Sequence, residues 1–257
     1  DYQPTLQEEY TQWLANPVSK TQWTMVEAQS VKSQIGTELS KEADGVIFAS
    51  GKNGKDTFTI VTETDLKNLT AIRLEALTDK RLPKNGPGRS PNDGNFVLTE
   101  LEVLWAPKDK PNEKKKLKLG AAKATFSQNN YAVSTAIDGR LNNSSNGWAI
   151  SPQMGKNHIA SFEIAQPQKH DGPILLTFVM KQMFQGNNWQ IGKFRWSVTN
   201  NKKPVNFGHP QNIAELLAVA PEQRDDKQKK ALNDYYRTQD AGLQPDSYTH
   251  LTLPTNR

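Results

Sequence analysis

Ile191-Gly192-Lys193-Phe194-Arg195-Trp196-Ser197-Val198-Thr199 sets Phe194, Trp196 and Val198 on one side of an extended chain and Lys193, Arg195 and Ser197 on the other. Side chains alternate across a strand, so one face is built for a core and the other is basic and hydroxylic. The same period of two runs outward from this stretch. It marks Gly45–Ser50, Thr57–Glu63, Leu69–Leu77 and Asn95–Trp105, then Ala122–Phe126, Tyr131–Ala136, Gly147–Ser151, His158–Ala165 and Pro173–Lys181. Gly, Asn, Asp and Pro clusters separate these runs, which gives about ten strands in all. No helical pattern interrupts them, so a parallel βαβ sheet is excluded. The expected fold is all-β, an antiparallel two-sheet jelly-roll sandwich over residues 18–206.

Helical spacing is confined to the flanks. Leu6, Tyr10, Trp13 and Leu14 predict a short helix over 5–15 that Asn16-Pro17 ends, making residues 1–17 a helical lead-in. Ile213, Leu216, Leu217 and Ala220 predict another, and Pro221 opens a third with Glu222, Asp225 and Asp226 early and Arg237 late, as the helix dipole favours. Ala231, Leu232, Tyr235 and Tyr236 form an apolar stripe that needs a partner surface. Residues 207–240 therefore read as a helical linker into a missing domain.

The 257 residues contain no cysteine, which removes disulfides, thiolate metal sites, thiol nucleophiles and covalent haem attachment. No apolar run reaches the roughly 18–20 residues of a membrane span. The chain opens on Asp1-Tyr2-Gln3-Pro4, without Met, and reads as a piece of a longer protein. A net charge of +5 raises the question of nucleic acid. The surplus, however, lies in two runs, Lys108, Lys110, Lys114, Lys115, Lys116, Lys118 and Lys227, Lys229, Lys230, and neither interleaves the aromatics that single-strand binding uses. Both read as solvated surface, with no nucleic-acid partner.

Catalytic patterns are scarce. His158, His170, His209 and His250 stand singly, without metal-ligand spacing. Gly51-Lys52-Asn53-Gly54-Lys55-Asp56 lacks both the leading glycine and the final hydroxyl of a phosphate loop and reads as a β-turn. A glycosidase pair among Glu100, Glu102, Asp138 and Glu163 would need two carboxylates about 5–9.5 Å apart with one acid raised in pKa.

Two loops offer ligand chemistry. In residues 82–95, Arg89, Asn92 and Asn95 supply planar donors and acceptors among Gly86, Gly88 and Gly94; the alternative is a long connection held by its own side chains. In the second, Ile137-Asp138-Gly139-Arg140 and Asn142–Gly147 deliver Trp148, whose ring either stacks on a sugar or belongs to the core. Arg89, Asn92, Asn95, Asp138, Trp148 and Arg195 are the candidate ligand-binding residues; none is assigned a catalytic role.

The ordered series Asp44-Gly45 to Gly51, Ile72–Glu75, Gly86-Pro87-Gly88-Arg89, Gly94–Glu100, Ala136–Gly139, Gly147-Trp148-Ala149 and Gly192–Thr199 resembles the middle region of planctomycete-type cytochrome-c-like surface proteins. That region is similar to the galactose-binding, discoidin-like jelly roll and is flanked by domains of unknown function. The resemblance covers about residues 18–240, and it implies an exported, extracytoplasmic multidomain protein working near polysaccharide. It also implies a structural calcium, with Asp44 or Asp138 as hard oxygen ligands. The family's haem motif needs cysteines, so this chain carries no haem. Residues 241–257 resemble a translated sequencing-adapter read of metagenomic origin. The function expected is a non-catalytic glycan-binding accessory module; the alternative is a structural spacer that contacts neighbouring domains and takes no small-molecule ligand.

Overall fold

A computed structural model describes residues 3–15, 21–141, 146–209 and 211–239. The polar stretch 142–145 of the second loop and the tail at 241–257 lie outside them. Contacts divide the chain into two units, Thr21–Phe207 and a helical unit made of Asp1–Lys20 with Gly208–Arg257.

The larger unit is an antiparallel β-sandwich. Its strands are β1 (Thr24–Val26), β2 (Ala28–Ser33), β3 (Thr37–Lys41), β4 (Ile47–Gly51), β5 (Asp56–Thr64), β6 (Ala71–Ala76), β7 (Glu100–Pro107), β8 (Lys115–Lys116), β9 (Leu119–Ala124), β10 (His158–Ile164), β11 (Ile174–Gln182) and β12 (Lys193–Thr199). A seven-stranded sheet has the order β3-β4-β12-β6-β10-β9, with β1 also on β12; a five-stranded sheet has the order β2-β5-β11-β7-β8. Each sheet turns its apolar parity inward. From β12, Phe194 and Trp196 stack on Phe58 and Phe178 of the opposite sheet, with centroids 6.2 and 4.2 Å apart. Ile60, Val103, Leu176, Ile72, Leu74 and Phe162 complete a core sealed from solvent. Burying such a side chain contributes about 1.5–3 kcal/mol, enough for a thin sandwich to fold despite long loops.

Two expected strands are not strands. Residues Val133–Ile137 form a 3-10 turn, with Val133 and Ala136 facing the core. Around Trp148 there is only a single bridge to Leu98. Apolar residues at a spacing of three, inside a short run, look alike on a 3-10 turn and on a half-buried strand. Conversely, β1, β2 and β3 were not anticipated, because Thr, Ser, Gln and Lys dominate them; as edge strands they leave mostly partly exposed residues.

In the helical unit, α1 (Gln3–Ala15), α2 (Gln211–Ala218) and α3 (Asp226–Gln239) enclose Trp13, Ile213 and Leu232. Tyr10 and Trp13 meet Tyr236 at 5.3 and 5.4 Å between ring centroids. The tyrosine stripe of α3, for which the sequence offered no partner, is thus covered by the lead-in helix of the same chain. Among the described residues no helix is long and apolar enough to cross a membrane.

Candidate functional site

The loop at 82–95 closes on itself through its glycines. A Cβ on Gly88 would stand 2.0 Å from the Asn95 carbonyl oxygen, and one on Gly86 2.4 Å from that of Gly94. Gly94 itself has φ +74° and lies under the Pro83 carbonyl. Arg89 spends its guanidinium inside this end of the molecule: Nη1 donates to the Lys52 carbonyl at 2.6 Å and to Gln190 Oε1, and Nη2 to the Gly51 carbonyl at 2.7 Å. It borders a groove of about 320 Å³ together with Arg81, but Arg81 is forked onto Asp79 and reaches Glu42. Asn95 is 2 % exposed. Its Nδ2 donates to Gln128 Oε1, and its Oδ1 accepts from the Ile150 amide. Asn92 alone of this set is exposed, and among the described residues its side chain meets no partner.

The structure brings Asn95 and Trp148 together, though in the core. Trp148 is fully buried, donates Nε1 to the Phe126 carbonyl at 2.9 Å and meets Phe96 edge-on at 5.1 Å. Neither face is open to a pyranose, so Trp148 and Asn95 are corrected from ligand contacts to scaffold. Arg195 lies elsewhere, on the outer face of the seven-stranded sheet. There it donates Nε to Glu75 Oε2 at 2.5 Å, beside the buried pair Arg73–Glu75 at 3.3 Å. Desolvation, opposed by the Glu75 charge, holds the Arg73 guanidinium below its usual value. Arg195 thus neutralises a buried carboxylate through Nε and Nη2.

Asp138 is exposed at a turn that Gly139 completes at φ +77°. Its Oδ1 accepts from the Arg140 amide and from Asn146 Nδ2, at 2.9 and 3.0 Å. Against this turn sits Glu100, 4 % exposed, whose Oε2 accepts from the Gly139 amide at 3.1 Å. Burial first, and then the negative charges of Asp138 and Glu102, push its carboxyl up to about 7. Calcium takes six to eight oxygens. Among the described residues no three metal-capable side chains converge, at Asp44, at Asp138 or elsewhere. Asp44 occupies an exposed turn at φ 58°. The described side chains at these two positions do not make a calcium cage.

Sequence reading missed two features. The first is Asp56, at the foot of the supposed phosphate loop, which is fully buried. Its carboxylate accepts from Ser33 Oγ, Thr37 Oγ1, Gln190 Nε2 and the amides of Gln34, Ile35 and Thr57. The second is Trp105. The β7–β8 ladder places it opposite Lys115, whose ammonium lies 5.5 Å from the ring centroid, and the His170 ring is 6.3 Å away in the loop between β10 and β11. Beside them opens a groove of about 560 Å³ bounded by Lys108, Asp109, His170, Gly172 and Pro173. Strand pairing joins Trp105 to Lys115 and a distant loop brings His170, so no local motif announces them. The fold and this groove define a β-sandwich with a basic edge strand, β8, and a groove bordered by Lys108 and His170. Comparison with protein-family models, curated proteins and solved structures finds no match for the chain.

Proposed function

We propose that the chain is a non-catalytic carbohydrate-binding module of a larger exported, extracytoplasmic protein, and that it holds its ligand at the groove bordered by His170 and Lys108. The observation that carries this reading is the groove of about 560 Å³ bordered by His170 and Lys108, with the half-buried Trp105 ring 6.3 Å behind the imidazole. The imidazole of His170 and the ammonium of Lys108 are donors that can meet sugar hydroxyls. A catalytic reading has one favourable feature, the raised acid of Glu100. That carboxyl is 4 % exposed and holds the Gly139 amide, whereas a glycosidase acid must reach a substrate oxygen.

A structural spacer without a small-molecule ligand is the second reading, favoured by the internal use of Arg89, Asn95, Trp148 and Arg195. A glycan array carrying neutral and acidic chains, probed with the whole chain and with His170→Ala and Trp105→Leu, separates the two. The module reading expects glycan binding that both variants weaken while circular dichroism stays unchanged. Absence of binding to every glycan would overturn it in favour of the spacer.

A further inference from the structure

The loop that joins β11 to β12 meets the turn after β9 at the end of the sandwich away from His170. These segments, 182–192 and 126–137, contain no Asp, Glu, Lys, Arg or His, in a chain of which 23% is charged. The Phe184 ring bridges them, with the Tyr131 centroid at 5.9 Å and the Trp189 centroid at 5.4 Å, both edge-on. All three rings are partly exposed. Between this cluster and the His170 groove lies β11, whose nine residues span about 27 Å.

Backbone bonds hold the rings in place. The Val97 amide donates to the Trp189 carbonyl at 2.9 Å, and the Tyr131 amide to the Gln128 carbonyl at 2.9 Å. Gly186 lies against the indole edge, where a Cβ would stand 2.5 Å from Trp189 Nε1. Around the rings Asn129, Asn130, Gln185 and Asn187 are exposed. Their amides, like the Trp189 indole N–H and the Tyr131 hydroxyl, have no hydrogen-bond partner among the described residues. Elsewhere this chain uses such amides internally, as Asn95, Asn157, Asn206 and Gln190 show. The cluster therefore joins apolar ring surface to a fringe of uncommitted donors and acceptors.

That composition narrows the ligand. The two segments hold nothing to neutralise a sulfate, a phosphate or a carboxylate, and the lysines flanking the β11–β12 loop are committed, Lys181 to Glu102 and Lys193 to Asp79. A wholly apolar partner fits no better, because it would bury the fringe amides without hydrogen bonds. A neutral sugar answers both parts of the surface. Its C–H face suits an aromatic ring, and its hydroxyls pair with amides that donate and accept. We propose that the Tyr131–Phe184–Trp189 cluster is a second ligand site, which takes a neutral oligosaccharide. It adds a site to the module reading above and does not depend on the groove at His170.

The test is calorimetric titration of the whole chain with neutral oligosaccharides of glucose, xylose, mannose and galactose, and with an oligogalacturonate as the charged control, at low and at physiological salt. At least one neutral sugar is expected to bind, with an affinity that salt does not change, and the oligogalacturonate not to compete. Trp189→Ala should lower that affinity about tenfold or more, as truncation of an aromatic anchor does. The double variant Gln185→Ala/Asn187→Ala changes only exposed side chains and should weaken binding several-fold with unchanged melting, so a folding defect in Trp189→Ala would not hide the result. Binding abolished by His170→Ala and kept by both loop variants overturns this inference and leaves the groove as the site. Loss in the loop variants alone upholds it and overturns the groove, and partial loss in each upholds both sites. If no neutral sugar binds, this inference falls, and the acidic chains of the array decide the groove. Self-association in sedimentation velocity that Trp189→Ala abolishes would make the cluster an interface between copies and also overturn it.

Discussion

Glu100 shows how one side chain couples the candidate corner to pH. Its folded value of about 7 lies above the usual glutamate value of 4.5, so the unfolded chain binds fewer protons between those pH values. The stability it contributes is full below about pH 4.5 and is lost as pH rises to 7. Glu100→Gln keeps an acceptor for the Gly139 amide and removes the charge. In chelator, urea melts should find the variant about as stable as the wild type at pH 4 and more stable by roughly 2 kcal/mol at pH 8. Asp56 matters through its hydrogen bonds: its carboxylate organises donors from three separate segments. Asp56→Ala leaves those donors buried and unpaired, and should cost about 3 kcal/mol or more in the same melts. Local spacing gave Asp56 no special standing; its role depends on Ser33, Thr37 and Gln190 arriving from elsewhere.

Strands with a full apolar parity were readable as elements, as β5 and β12 show, since alternation over seven to nine residues has one physical cause. Short apolar runs were not. Val133–Ile137 buries two residues from a 3-10 turn, and Trp148 enters the core from a chain that forms a single bridge. The 82–95 connection folds back on itself through backbone bonds while Arg89 and Asn95 tie it to residues outside it, and its glycines allow the close approach. Gly88 has no need of a left-handed backbone; it needs the space its missing side chain leaves against Asn95. Gly88→Ala should therefore destabilise by about 3 kcal/mol or more, measured by chemical denaturation. A control variant at Gly139, where an added Cβ meets nothing within 4 Å, is strained only through its φ of +77° and should cost less, about 1 kcal/mol.

Across the whole molecule, the two units keep separate cores. The sandwich buries aromatic pairs between its sheets, and the helical unit buries Trp13, Ile213 and Leu232. Deleting residues 1–20 strips Tyr10 and Trp13 from the α3 stripe. Far-UV circular dichroism should then show lost helix, while the near-UV signal of the Phe178–Trp196 stack persists. Loss of the sandwich signal as well would refute this separation. The sequence by itself determined the β-sandwich and its terminal helices, because periods of two and of 3.6 are written in consecutive side chains. Tertiary structure alone decided which polar and aromatic residues remain free. Trp148 and Trp105 both follow turn or strand signals; the first is enclosed between Phe96 and the Phe126 carbonyl, and the second is half-buried next to the edge strand β8, beside Lys115 and His170. Burial depends on what packs from across the fold, and that is not encoded in the neighbours along the chain.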